Sequence, residues 1–596
     1  MRNRYSVGFI LVVVMAISLA LAACSSSDDD STGSTTQQTP AVAAPTSQAV
    51  LQAPAAAPAA TAVPAVVGRQ AVEAKVKRVV LSVEAPGNPS NDLRLSCCFD
   101  TMQLKPMYEN LIGLTEGGQY VPQLATSWTV EDGGKAVRFQ LRKGVQFQGG
   151  WGEWTASDLK WKYSHLVDFE GSHRHRADWL SWIGDASNIE IINDYEILYH
   201  INPAANFLVG FSDRWSHMPA LSKAHYDAVG DPATLDDTPI AGTGPYQFVK
   251  RAQGASILFE RVPYDHWRVN PDFQEFEYRF ISEASTRFAA LLAGEVHITK
   301  LGPDLTAEAR SEGFGVVENT VKGPRVYGNF YCCWSTKDES TNYKTYTGEW
   351  PYNPESPLAN PKVRQALNKF INRAELTTAY SPNSEPMYLE NWHPTYPGWD
   401  PRFETEFADK YGYDPAAATA LLAEAGYGPN NPLEVNLILA SILNISQPFD
   451  VAEGMAGYWR ENGVKVNLLS PDASTRSANT RNRVYDNHIQ LAGSATYQVF
   501  GIELHLSNLL TASSAGYSTP STNAKLTEIR KLISPTDQDP LLRELGNEFY
   551  DAYPNIPLWY ISLEAIYNSD IVKTWEFAGA EHGAWNHVED IRAVAK

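Results

Sequence analysis

The chain has 596 residues, carries a net charge of −20, and 43% of its residues are apolar. That charge argues against nucleic acid, whose phosphates need Lys and Arg, and against an anionic lipid surface as a partner. The length is too great for one hydrophobic core, so two or three lobes are expected.

The amino terminus reads as an export signal. Arg2 and Arg4 precede an apolar run from Val7 to Leu21, and Leu21-Ala22-Ala23-Cys24 closes it with small residues. A charged start, a short apolar stretch and a small-residue cut site make a secretory signal over residues 1–23 rather than a spanning helix. Cys24 at the first mature position is similar to the lipobox of bacterial lipoproteins. That resemblance implies acylation at Cys24 and stable membrane anchoring through several acyl chains. Residues 24–75 are rich in Ser, Thr, Ala and Pro, with Pro40, Pro45, Pro54, Pro58 and Pro64 blocking a continuous helix. This composition predicts a disordered, extended spacer.

Structure is expected to begin near Val76. Val79-Val80-Leu81-Ser82-Val83 reads as a buried strand, and a helix is expected over Lys105 to Leu111 with Pro106 in its first turn. Val137, Phe139 and Leu141 alternate as a half-buried strand does. Thr155-Ala156-Ser157-Asp158 has the chemistry of a capping box. Ile189 to Ile192 and Glu196 to Tyr199 read as strands around an Asn193-Asp194 turn. Val363, Ala366, Leu367, Phe370, Ile371 and Ala374 form one apolar stripe, with Asn360 as cap and Pro361 at the first helical position. Asp414-Pro415 opens another helix, which Gly426 closes. Strands and helices alternate without a repeat period, so the chain reads as α/β.

Several segments then occur in a telling order: Tyr108-Glu109-Asn110-Leu111, Gly242-Thr243-Gly244-Pro245-Tyr246, Leu291-Leu292-Ala293-Gly294-Glu295, Pro361-Lys362-Val363-Arg364-Gln365-Ala366-Leu367, and Tyr413-Asp414-Pro415 through Tyr427. Taken together they resemble solute-binding protein family 5 of the ABC importers, over about residues 76–596. Each also has a structural reading; glycines in Gly242-Thr243-Gly244 permit unusual backbone angles.

The resemblance implies an α/β fold of the periplasmic-binding-protein-like class II. Two main lobes would close about a hinge, with an additional lobe inserted in the first. The first lobe is expected at 76–116, 235–325 and 556–596, the inserted lobe at 117–234, and the second main lobe at 326–555. It implies a lipid-anchored, extracytoplasmic receptor, periplasmic or at the cell surface. The receptor would capture an oligopeptide or similar polar solute and deliver it to permease subunits with cytoplasmic ATPases. It is expected to act as a monomer, without cofactor, metal or catalysis of its own. The chain has no Gly-x-x-x-x-Gly-Lys-Ser/Thr loop, no Gly-x-Ser-x-Gly elbow and no His-Glu-x-x-His helix. An oligosaccharide receptor of the same family is the alternative, and a carboxylate-dependent extracytoplasmic hydrolase is the alternative from another class.

By the same analogy, Cys98 and Phe99 line the cleft from one side. Trp334, Trp392, Tyr396, Trp399, Tyr497 and Phe500 are candidate ligand contacts from the second main lobe. Peptide-binding members place an aspartate near the position of Tyr497, after a tryptophan where Ser494 stands. That departure favours aromatic faces, which can cover sugar rings. The remaining cysteines form two adjacent pairs, Cys97-Cys98 and Cys332-Cys333. An even number in an exported chain suggests disulfides, and a bridge between the two pairs competes with four buried thiols. His173-Arg174-His175-Arg176 reads as a basic loop tip, since two histidines without a third ligand make a weak metal site.

Overall fold

The computed structural model describes residues 74–85, 90–94, 104–114, 120–169, 176–202, 207–212, 218–231, 239–320, 325–331, 356–440, 447–472, 475–476, 479, 487–494, 520–532, 535–577, 580–581, 584–585 and 587–594. The export signal, Cys24, the spacer up to residue 73, both cysteine pairs and the His173–His175 run lie outside them, while Lys75, at the end of the expected spacer, already donates its N–H to Asp272 O at 2.9 Å. Among the described residues no helix is long and apolar enough to cross a membrane.

Three sheets organise the chain. The first has seven strands, in the order Gly315–Glu318, Glu564–Tyr567, Ile298–Thr299, Val76–Val83, Phe273–Phe280, Ser256–Arg261 and Tyr246–Ala252. Its centre is parallel: Val79 lies opposite Phe276 and Leu81 opposite Tyr278. Buried on both faces, Val76–Val83 ends in the apolar run that the sequence shows. The second sheet has six strands, in the order Glu385–Pro386, Asn555–Tyr560, Arg325–Tyr331, His488–Ser494, Glu434–Ile438 and Lys465–Leu469. A continuous apolar core joins the two, from Val79 and Phe276 to Val326, Val363 and Trp459.

The third sheet, of Ala125–Glu131, Ala136–Leu141, Glu196–His200 and Ile189–Asn193, has a core of its own. Aromatic rings dominate it. Tyr199 stands edge-on to Phe139, Phe207 and Phe211 at 5.3–5.9 Å between centroids, the geometry that ring quadrupoles favour. The mixed three-sheet α/β architecture matches the expected fold class.

The chain passes twice between the seven- and six-stranded sheets among the described residues. It leaves Gly315–Glu318 for Arg325–Tyr331, and later leaves Asn555–Tyr560 for Glu564–Tyr567. The two passages are fastened to each other. Asn319 N donates to Leu563 O at 2.9 Å, and Leu563 N donates to Asn319 Oδ1 at 2.7 Å.

Several expectations change. No helix forms over Lys105–Leu111; a short turn at 104–107 gives way to extended chain. Met107 O, which a helix through Leu111 would bond to Leu111 N, instead accepts from Gly244 N at 3.0 Å and from Gln148 Nε2 at 2.9 Å. Tertiary bonds override the local preference. The stripe from Val363 to Ala374 spans two helices, Pro361–Lys369 and Arg373–Tyr380. The break falls at Asn372, whose side chain accepts from Glu375 N and caps the second helix.

Gly242 and Gly244 do not need unusual angles, as neither has a positive φ. They need the absence of a side chain: a Cβ would lie 2.2 Å from Met107 O at Gly242 and 2.5 Å from Met107 C at Gly244. The strands around Asn193-Asp194 and the Asp414-capped helix form as read. At the start of Ala156–Val167, Asp158 Oδ2 accepts from Thr155 N at 3.1 Å.

Buried polar side chains hold these parts together. The Gln148 amide sits among the carbonyls of Met107, Gly244 and Tyr246 at 2.7–2.9 Å, fixing the inserted sheet to the first. Arg364 donates to Ala552 O, Tyr553 O, Leu358 O and Ala359 O. It thereby satisfies the carboxyl end of the helix Pro535–Ala552.

Glu109 accepts from Trp267 Nε1 at 2.8 Å and from Arg268 Nε at 2.9 Å. Arg268 reaches on to Glu589 at 2.8 Å. Burial alone would raise the Glu109 carboxyl, but His266 and Arg268 outweigh it and hold it below its ordinary value. Its stabilisation is therefore complete above the unfolded carboxyl's pKa, about 4.3, and is lost as pH falls through the depressed folded value. Glu109→Gln should cost about 3–5 kcal/mol near pH 7 by denaturant unfolding, the cost of breaking a buried ion pair. The difference from wild type should shrink below about pH 4. A difference that stayed constant down to the acid transition would contradict this role.

Candidate functional site

The strand Arg325–Tyr331 is the first element the chain forms after crossing into the second lobe, and all seven of its residues are buried. Side chains alternate along it. Val326 and Phe330 enter the apolar core, and Gly328 faces Ile556 and Met455. Arg325, Tyr327, Asn329 and Tyr331 occupy the other face, where the neighbouring strand places Ser494 opposite Arg325, Ala492 opposite Tyr327 and Gln490 opposite Asn329. On that neighbouring strand Gln490 and Ala492 are half-buried.

A polar hub forms on that face. Glu390 lies 3.6 Å from Arg325 Nε and accepts from Asn555 Nδ2 at 2.8 Å. Arg325 Nη2 also donates to Asn391 Oδ1. Asn391 reaches it from a left-handed backbone, φ 68°, a conformation that asparagine tolerates better than most residues. Tyr331 Oη donates to Gln490 Oε1 at 3.1 Å, and Tyr560 Oη to Trp392 O at 3.0 Å. Burial, with the Glu390 carboxylate accepting from it, pushes the Tyr327 hydroxyl well above its ordinary pKa, so it stays protonated. The array offers hydroxyls, amides and one charge pair beside the hinge, which suits recognition of a polar solute.

Of the three described aromatic candidates, Trp392 and Trp399 fall in a separate core under the helix Pro535–Ala552. Trp392 is 2% exposed. Its indole donates to Leu542 O at 3.1 Å, packs on Phe549 and lies against Gly546, where a Cβ would come within 2.6 Å. Tyr396 is buried beside His393. Trp399 is half-buried on Tyr388 and Phe403. The structure brings Trp392 and Trp399 together through Phe403 as packing, and Trp392 also lines a small cavity with Glu390, Asn391 and Asn555. Cys98, Phe99, Trp334, Tyr497 and Phe500 lie outside the described residues.

The hub itself had one sequence signal, the alternation of Arg325, Tyr327, Asn329 and Tyr331 along a strand; Glu390 and Asn555 had none. Among the described residues, His587, Glu589 and Asp590 are close enough to share a metal ion. Glu589 is already bonded to Arg268 and Asp590 to Arg592.

Two lobes built on separate sheets, tied by crossing strands and carrying a polar hub beside the crossing, define a two-lobed binding protein. The sequence profile of the bacterial extracellular solute-binding proteins, family 5, matches residues 119–502 in its middle region, and the chain belongs to that family. It is a family of binding proteins rather than enzymes. Heme-binding protein A of Haemophilus influenzae is 25% identical over 383 residues, 61% of this chain and 64% of that protein. The dipeptide-binding protein of Escherichia coli is 23% identical over 387 residues, 61% and 66% respectively. The matched region thus spans slightly less than two thirds of these relatives. The solved periplasmic binding protein DppA of Helicobacter pylori, in complex with the peptide STSA, has the same fold. It superposes with a TM-score of 0.65 at 20% identity, over 88% of this chain and 99% of that one.

Trp392→Ala should lower stability by about 3–5 kcal/mol in denaturant unfolding, the usual cost of deleting a buried tryptophan. The half-buried Trp399→Ala should cost clearly less. Equal small losses would show that Trp392 is not packed as described.

Proposed function

We propose that the chain is the extracytoplasmic receptor of an ABC importer, capturing a peptide-class solute between its two main lobes and presenting it to a permease pair. The observation that supports this reading is the double crossing between the two large sheets, fastened at Asn319 and Leu563, at the place where a hinge between lobes would act. Family membership supports it, as do relatives whose names specify a dipeptide and a solved structure that holds a peptide. The lobe boundaries proposed are 76–116 with 235–325 and 556–596, 117–234, and 326–555.

Peptide is preferred over oligosaccharide because the sugar reading rested on open aromatic faces. Trp392 is 2% exposed and its N–H is spent on Leu542, while Trp334, Tyr497 and Phe500 lie outside the described residues. Anchoring through acylated Cys24, a flexible spacer to residue 73, and a bridge between the Cys97-Cys98 and Cys332-Cys333 pairs complete the proposal. Each follows from the export signal and from the oxidising compartment it leads to.

Thermal unfolding with a random tripeptide mixture and, separately, with cello-oligomers tests the solute class. A ligand at a hundredfold excess over its Kd stabilises by about 2.7 kcal/mol. Peptides should raise the Tm and cello-oligomers should leave it unchanged. A rise with cello-oligomers alone would replace the peptide reading with the sugar one.

A further inference from the structure

The loop Leu389 to Trp392 and the start of the strand Asn555–Tyr560 enclose a small cavity beside the polar hub. Trp392, Phe549 and Pro554 form its apolar wall, and Glu390, Asn391 and Asn555 its polar one. The three polar residues are all buried. The cavity has room for about one water molecule.

One atom on the polar wall is unmet. Asn555 is 2% exposed. Its amide nitrogen is spent on Glu390 Oε2 at 2.8 Å, and its backbone carbonyl accepts from Asn368 Nδ2 at 3.0 Å. Its side-chain oxygen, Oδ1, has no hydrogen-bond partner within the protein. Turning the amide over does not cure this. Oδ1 would then face the Glu390 carboxylate, acceptor against acceptor. A buried amide oxygen without a donor is destabilising, so the fold calls for a donor at this point.

The donors nearby are already engaged. Trp392 gives its indole N–H to Leu542 O and its backbone N–H to Leu389 O. Arg325 Nη2 goes to Asn391 Oδ1, and the Tyr327 hydroxyl to Glu390. Charge is matched as well: Glu390 stands 3.6 Å from Arg325 Nε. The group that completes Asn555 is therefore a neutral donor, and the size of the cavity restricts it to a small one. The polar wall also argues against a dry cavity, because cavities that stay empty are apolar on all sides.

We propose that this cavity is a binding site for one ordered water molecule, which donates one hydrogen to Asn555 Oδ1 and the other to the Glu390 carboxylate. A carboxylate offers about four accepting positions. The amide nitrogen of Asn391, whose oxygen is held by Arg325, donates to the water in turn. Bound in this way the molecule makes about three hydrogen bonds, the number usual for buried water. It ties the loop that carries Glu390 to the strand that runs on to the crossing at Leu563. The water thus acts as a positioning group for the hub, and the site does not depend on the class of solute.

Crystals of the full-length protein that diffract well enough to show ordered water test the site. A peak is expected inside the cavity at about 2.7–3.2 Å from Asn555 Oδ1, and at a similar distance from Glu390 or Asn391. In Asn555→Leu, which keeps the volume and removes the acceptor, the peak should weaken or vanish. A cavity without density in the wild type would overturn the inference. So would an Asn555 Oδ1 bonded directly to a protein donor. An undiminished peak in Asn555→Leu would overturn it too, because Asn555 would then not hold the water. If Asn555→Leu fails to fold, the wild-type density decides alone.

Discussion

Two short hydrogen bonds at one asparagine decide how this molecule is put together. Asn319 gives its backbone N–H to Leu563 and takes the N–H of Leu563 on its side chain. Each of the two large sheets is assembled from segments far apart in sequence, and the chain must pass between them. Fastening the passages side by side gives both lobes the same pivot. In the proposed receptor this mutual pair would be the hinge. The polar face of Arg325–Tyr331 begins a few residues beyond that pivot, so a solute held there would be gripped where small rotations bring the lobes together.

Away from the pivot, rigidity comes from buried polar groups whose partners are mostly carbonyls. Arg364 ends a helix by bonding four of them, and Gln148 locks the inserted sheet to the first through three more. Glu109, Arg268 and Glu589 join a loop, an early extended segment and the final turns of the chain. Removing one member of such a network leaves its partners buried and unmet, which costs more than the bond itself is worth. These networks stiffen the parts of the fold that they join.

Much of the fold was legible in the sequence. Period-two alternation marked Ala136–Leu141, turn chemistry marked the strands around Asn193-Asp194, and Asn360, Thr155 and Asp414 marked helix starts. The order of short segments identified the family. What misled was local propensity where long-range bonds prevail. Lys105 to Leu111 reads as helix, yet the Met107 carbonyl that would close its last turn is claimed by Gly244 and Gln148. Gly242 and Gly244 suggest backbone freedom, whereas the real constraint is the Met107 backbone pressed against them. The aromatic loop residues looked like open faces because sequence does not show that Gly546 makes room for Trp392. Glu390 carried no signal at all: a charged residue in a loop reads as solvated until its burial is seen.

The central claim is that the lobes turn about the Asn319–Leu563 joint when a solute enters. The most direct measurement is a distance distribution between probes placed at Leu292 and Tyr413, which lie on different lobes and are each about half exposed. Non-natural amino acids would carry the probes without disturbing the native cysteines. Adding the tripeptide mixture should move the distribution to a new, narrower peak. An unchanged distribution while the same sample demonstrably binds peptide would contradict the hinge account.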